Sequence, residues 1–232
     1  MDHRYKIQIP KLLILAQKRS GSHFLQDSIK CAALTGTTFL HHLRDGGKLR
    51  DVSSLYRLKN TKRMSVQVLR YHNFSTRESD LIQWLTFSDY LISQTPKIVI
   101  LGRKDLFMQA LTDWFNDTVF DREVKRKNPH EEWTDYRENL IRLNSVDAKT
   151  YAYYYMKMSV FRRLFRSLYV GYEEKCHHID FEDFSDVVSV VRGISDFAGF
   201  DVGINSDCPV WQPADYSQMP GFKELKDQYA NR

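Results

Sequence analysis

The sequence predicts an α/β fold, a three-layer α/β/α sandwich around a central parallel sheet. Two runs, Lys11–Gln17 (KLLILAQ) and Lys97–Gly102 (KIVILG), have unbroken apolar middles, so they read as strands buried on both faces. Each leads through a short polar turn into a helical pattern, the order expected of βαβ connections. The 232 residues suit one domain, 1–232, with a sizeable core.

Lys11–Gln17 is the first strand. The polar turn Lys18-Arg19-Ser20-Gly21-Ser22 opens a helix to about Ala33, on which Phe24, Leu25, Ile29 and Ala32 recur at helical spacing. Gly36–Lys62 is polar, contains Gly46-Gly47, and reads as loop with short helix. Ser65–Tyr71 is the second strand, with Val66 and Val68 alternating before a turn into His72. Ser75 or Thr76 caps a helix carrying Leu81, Ile82, Leu85 and Tyr90. Pro96 punctuates, Lys97–Gly102 is the third strand, and Asp105 stands at the N-cap of a helix over Leu106–Phe115. Asn116–Tyr136 lacks periodicity, contains Pro129, and reads as a long surface excursion. The strongest helical pattern is Val146–Tyr169, where Tyr154, Met158, Phe161, Phe165 and Leu168 step by four, three, four and three. Such a stripe is core. His177–Phe181 is the fourth strand, Asp186–Ala198 an amphipathic helix ended by Gly199, and Phe222–Tyr229 a short last helix.

Composition narrows the function classes. At 42% hydrophobic and 27% charged, the chain is globular. Its apolar runs are too short to cross a bilayer, and MDHRYKIQIP has no signal-peptide apolar region. Cys31, Cys176 and Cys208 are dispersed and odd in number, against both a disulfide framework and a zinc site. A cytoplasmic location is expected. A net charge of +5 suits a polyanionic ligand without demanding nucleic acid. The basic runs Arg122–Lys127 and Arg162–Arg166 read as solvated faces. His41-His42 and His177-His178 are adjacent pairs that point apart on a strand, so no metal is expected.

In such sheets ligands bind beyond the carboxyl ends of the strands. The turn after the first strand is physically an anion site: free N–H groups and a positive dipole end meet two cations and two hydroxyls. Gly21 allows close backbone approach to a phosphate. The GxxxxGK[ST] pattern is absent, which argues against ordinary ATP or GTP use.

The stretch KLLILAQKRSGSHFLQDSI resembles the 5′-phosphosulfate loop of the sulfotransferases that use 3′-phosphoadenosine 5′-phosphosulfate (PAPS), and its RSGS is closer to the bacterial carbohydrate-type branch than to cytosolic aryl or steroid members. The resemblance continues through KIVILGRKDLFMQALTDWF and HIDFEDF to Phe200, and it implies the P-loop-like fold of that family. It implies that Lys18, Arg19, Ser20, Gly21, Ser22 and His23 line the donor's 5′ end, with Arg19 near the bridging oxygen. It implies that Arg103 and Thr112, nine residues on, hold the 3′-phosphate; Lys104 would give the family's eight-residue spacing, and a planar fork favours Arg103. It implies that His72 in VLRYHNF is the base, with Arg70 at a Lys position; His41, His42, Asp27 and Asp45 stay open as alternatives. The family's Arg-Lys-Gly element is missing; Lys223, Lys226 and Arg192 are possible substitutes.

Sulfuryl transfer by in-line displacement needs cations at the leaving group and one base, and no metal. The expected product is adenosine 3′,5′-bisphosphate (PAP). The acceptor, a small molecule or carbohydrate, is expected between the sheet edge and the segments Thr37–Asp51 and Asn116–Tyr136. Two rivals remain: a P-loop-type kinase using ATP, and a nucleic-acid or protein-binding module using Arg162, Arg163 and Arg166. Neither a nucleic acid nor a membrane is the expected partner.

Overall fold

A computed structural model describes residues 11–32, 38–40, 44–45, 48–49, 65–70, 86, 88–124, 132–199 and 213–229. Two compact units divide the chain: Met1–Lys104 with Leu164–Trp211, and Asp105–Arg163 with Gln212–Arg232.

The first unit is an α/β layer structure around a five-stranded sheet. Its strands are β1 (Leu12–Ala16), β2 (Thr38–Leu40), β5 (Ser65–Arg70), β6 (Lys97–Gly102) and β7 (Cys176–Asp180), while β3 (Arg44–Asp45) and β4 (Lys48–Leu49) pair separately as a small antiparallel ribbon. The order is β2-β5-β1-β6-β7, and every pairing in it is parallel. The chain fills one side of β1 before crossing to the other. The carboxyl ends of β1 and β6 therefore flank a topological switch point, the usual place for a ligand.

β1 is buried along its whole length, as its unbroken apolar run requires. Leu12, Ile14 and Ala16 face one way and join Val99, Leu101 and Ile179 in a core closed by Leu25 and Ile29 of α1 (Ser22–Ala32). Phe184 and Ile194 complete it; Phe184 follows β7, and Ile194 lies on a later helix (Val187–Ala198). Leu13, Leu15, Ile98 and Ile100, on the opposite face, are equally buried. β2 is a short strand inside the stretch expected to be loop, and a three-residue segment is too brief to register a period.

The second unit is helical. It contains α2 (Leu106–Phe115), α3 (Trp133–Leu143), most of α4 (Ala148–Ser167), and further on α6 (Phe222–Tyr229); the helix Val187–Ala198 of the first unit is α5. Asp105 caps α2 as expected, its carboxylate accepting from Met108 N–H at 2.8 Å. In the expected surface excursion Asn116–Tyr136, the described residues are instead mostly helical, while residues 125–131 lie outside them. Asn116–Phe120 is a π-helical turn, Asp121–Glu123 is α-helical, and α3 follows. Asn116 Nδ2 and Thr118 Oγ1 donate to the carbonyls of Thr112 and Trp114, four residues back, where they compete with the regular ladder. Asn116 and Val119 are buried.

The expected stripe is buried at Met158, Phe161 and Phe165 of α4 and at Leu168 just beyond it, with Tyr151 more buried than Tyr154. Arg162 departs from the expected solvated face: its Nε donates to Gln109 Oε1 at 2.7 Å, and Gln109 is buried. Among the described residues no helix is long and apolar enough to cross a membrane.

Candidate anion site at the ends of β1 and β6

The turn after β1 keeps pairing with β6 through Gln17 N–H to Leu101 O at 3.0 Å, and then breaks away. Arg19 has φ 62° and Gly21 has φ 75°, while Ser20 between them has negative φ. Alternating φ signs recur in nests, turns whose successive N–H groups face one side. Gly21 O accepts the first α1 hydrogen bond, from Leu25 N–H at 3.0 Å, so the turn runs directly into a helix N-terminus. No acidic residue lies in the first turn of α1 to neutralise that positive end.

The side chains of the turn are not equivalent. Lys18 and Ser22 are buried, and Arg19 is half-buried. Ser20 is fully buried with its hydroxyl donating to Gln17 O at 2.6 Å, so it braces the turn from inside. His23 is exposed on α1, as is Asp27.

Gly21 is required for a reason the sequence did not suggest. A Cβ there would lie 2.6 Å from the Phe184 ring and 3.0 Å from that of Phe181. Both rings belong to the 3-10 turn Phe181–Asp186 after β7, where residues three apart eclipse and so reach the same neighbour. The glycine makes room for a protein wall as well as leaving the backbone exposed to a ligand. Behind it, Gly102 similarly admits Asp180, whose Oδ1 would sit 3.1 Å from an added Cβ.

Arg103 leaves the end of β6 and turns into this turn. Its Nη1 donates to Arg19 O at 3.2 Å, its guanidinium lies 4.1 Å from the Phe181 ring centroid, and its Nε is 3.9 Å from Glu182 Oε1. Lys104 goes elsewhere: its Nζ lies 3.3 Å from Asp180 and 3.4 Å from Asp183, and its N–H donates to Glu182 Oε2 at 2.9 Å. The hydrogen bond and charge of Asp180, then Asp183, raise the Lys104 pKa above the ordinary lysine value. Of the two adjacent cations, only Arg103 is brought to the β1 turn.

Thr112 lies on α2 in the second unit, where its hydroxyl donates to Met108 O at 2.7 Å. Lys223 and Lys226 are exposed on α6 of that unit, and Arg192 is exposed on α5. His72, His41 and His42 lie outside the described residues, as do Ser75, Thr76 and most of the expected acceptor segment 37–51; Arg70 and Asp45 are described only as strand positions. Among the described residues no group of three or more His, Cys, Asp or Glu could hold a metal ion.

Sequence reasoning missed Phe181, Glu182 and Phe184 as builders of this site. The available signal was an aromatic pair three apart, interleaved with acids, directly after a strand.

No family model matches the chain, and no curated protein matches it by sequence. Among solved structures it is similar to the crystal structure of mouse sulfotransferase SULT7A1 complexed with PAP, at 16% identity and a TM-score of 0.44, over 97% of this chain. The chain spans 65% of the length of that protein.

Proposed function

We propose that the chain is a sulfotransferase that moves a sulfuryl group from PAPS to a hydroxyl or amine of a small-molecule or carbohydrate acceptor. One observation supports this most: Arg103 at the end of β6 reaches the backbone of Arg19 in the turn after β1, so two cation-bearing turns meet at one switch point. A ligand with phosphate groups at both ends of one ribose suits such a pair.

In this reading Lys18, Arg19, Ser22 and the N–H groups of the nest hold the 5′ end, with Ser20 and Gly21 shaping the turn and His23 at its rim. Arg103 holds the 3′-phosphate. The donor, when bound, supplies a sulfuryl group on a phosphate leaving group. Arg19 and the nest stabilise the negative charge that develops on the leaving oxygen, an effect worth roughly 10²–10³ in rate for one such contact. His72 takes the acceptor's proton, a contribution of about 10²–10⁴. The Walker pattern needed by the kinase alternative is absent from the turn.

A thermal-shift titration tests the reading. PAP at about 100 times its Kd should stabilise the folded chain by about 2.7 kcal/mol, and ATP with magnesium should do far less. Equal or greater stabilisation by ATP–Mg would overturn the sulfotransferase reading in favour of a kinase.

A further inference from the structure

We propose that Glu182 is a resident counter-anion of Arg103, displaced when a ligand's phosphate binds, and that this carboxylate sets how tightly the site holds anions. The inference rests on reading the β1 turn as an anion site and deepens that reading.

The Arg103 head group has little freedom. Its side chain is 7% exposed, with the Phe181 ring against one face and the Arg19 carbonyl accepting from Nη1. Glu182 is less constrained: its side chain is 34% exposed, and its Oε2 accepts the Lys104 N–H at 2.9 Å. The remaining oxygen, Oε1, stands 3.9 Å from Arg103 Nε. That distance gives Coulomb attraction without a directed hydrogen bond. An incoming oxyanion able to sit at hydrogen-bond distance can therefore replace it.

The neighbouring acids have other duties. Asp180 and Asp183 cap the 3-10 turn reciprocally and both pair with Lys104 Nζ. Glu182 is the carboxylate of this trio that reaches Arg103. A singly charged ligand gains little by exchanging one negative charge for another there. A phosphate dianion, which brings twice the charge, gains more. The arrangement thus selects for multiply charged anions.

The test is calorimetric titration of PAP, and separately of inorganic pyrophosphate, into the wild-type chain and three variants at low and at high salt. Glu182→Gln removes the charge yet keeps an acceptor for the Lys104 N–H. It should tighten both ligands about three- to tenfold at low salt, with the gap narrowing at high salt. Glu182→Asp, which draws the charge back by one methylene, should tighten them less. Glu173→Gln, whose carboxylate accepts from Gly171 N–H before β7, should leave both affinities unchanged.

Unchanged or weaker binding by a folded Glu182→Gln chain would overturn the inference. If that variant fails to fold, unchanged or weaker binding by Glu182→Asp does the same. Should neither anion bind wild type or Glu182→Gln, the anion-site reading falls with it. Should pyrophosphate tighten as expected while PAP binds no variant, the counter-anion role stands and the sulfotransferase reading is overturned.

Discussion

Gly21 carries two constraints that a single methyl would break. Its φ of 75° is strained for any residue with a Cβ, and the added carbon would press on the fully buried Phe184 ring at 2.6 Å. Gly21→Ala should therefore lower stability by about 2–4 kcal/mol, combining backbone strain with overpacking. Urea unfolding measures it, and a loss below about 0.5 kcal/mol would mean the rings are not held against the turn. Arg19 already bears a positive φ without being glycine. Such strain survives only where surroundings enforce it, and the hydrogen bond from Arg103 to the Arg19 carbonyl is one such restraint. The same short list of residues thus shapes the turn and supplies its charge.

At the scale of elements, α2 and α4 of the second unit are joined by charge as well as by apolar packing. Lys157 on α4 lies 3.1 Å from Asp113 and 3.6 Å from Asp117, and 4.8 Å from the Tyr154 ring centroid. Asp113 has no exposed side-chain surface. Burial, followed by the Asp117 and Asp113 charges, pushes the Tyr154 hydroxyl up to about 12, so it stays protonated beside them. Removing the lysine takes a cation away from a buried carboxylate. Lys157→Ala should cost about 3–5 kcal/mol, and adding Asp113→Asn should restore part of that. Additive losses in the double variant, read by chemical denaturation, would show that the pair is not coupled. Some of this element-scale organisation is visible in the linear pattern. Asp105 is recognisable as an N-cap because capping involves only the next three residues. The π-helical Asn116–Phe120 is not, because the polar run Asn116-Asp117-Thr118 interrupts the apolar period that pattern reading depends on.

For the molecule as a whole, stability should fall on the acid side. His177 on β7 is half-buried and stacked on Phe197, with ring centroids 5.2 Å apart. Burial first, then the neighbouring His178, holds its pKa below the ordinary histidine value. A histidine depressed in this way contributes stability that is intact above about pH 6.5 and is lost as pH falls through its folded value. Urea midpoints followed downward from pH 7.5 should therefore drop below about pH 6.5, and His177→Phe should flatten that limb. An unchanged slope in the variant would assign the acid loss to other groups. Whole-molecule organisation also separates two kinds of information. Consecutive residues alone determine that β1 and β6 are buried strands and that Lys18–Ser22 is a turn opening a helix, because apolar runs and φ preferences act within a few positions. The different neighbours of Arg103 and Lys104, the crowding at Gly21 and the approach of Glu182 to Arg103 come from the placement of β7 beside β6. That placement brings residues 180–184 onto a turn 160 positions earlier in the chain. Contacts across such a separation are chosen by sheet order, which the burial of whole strands settles and no local spacing encodes.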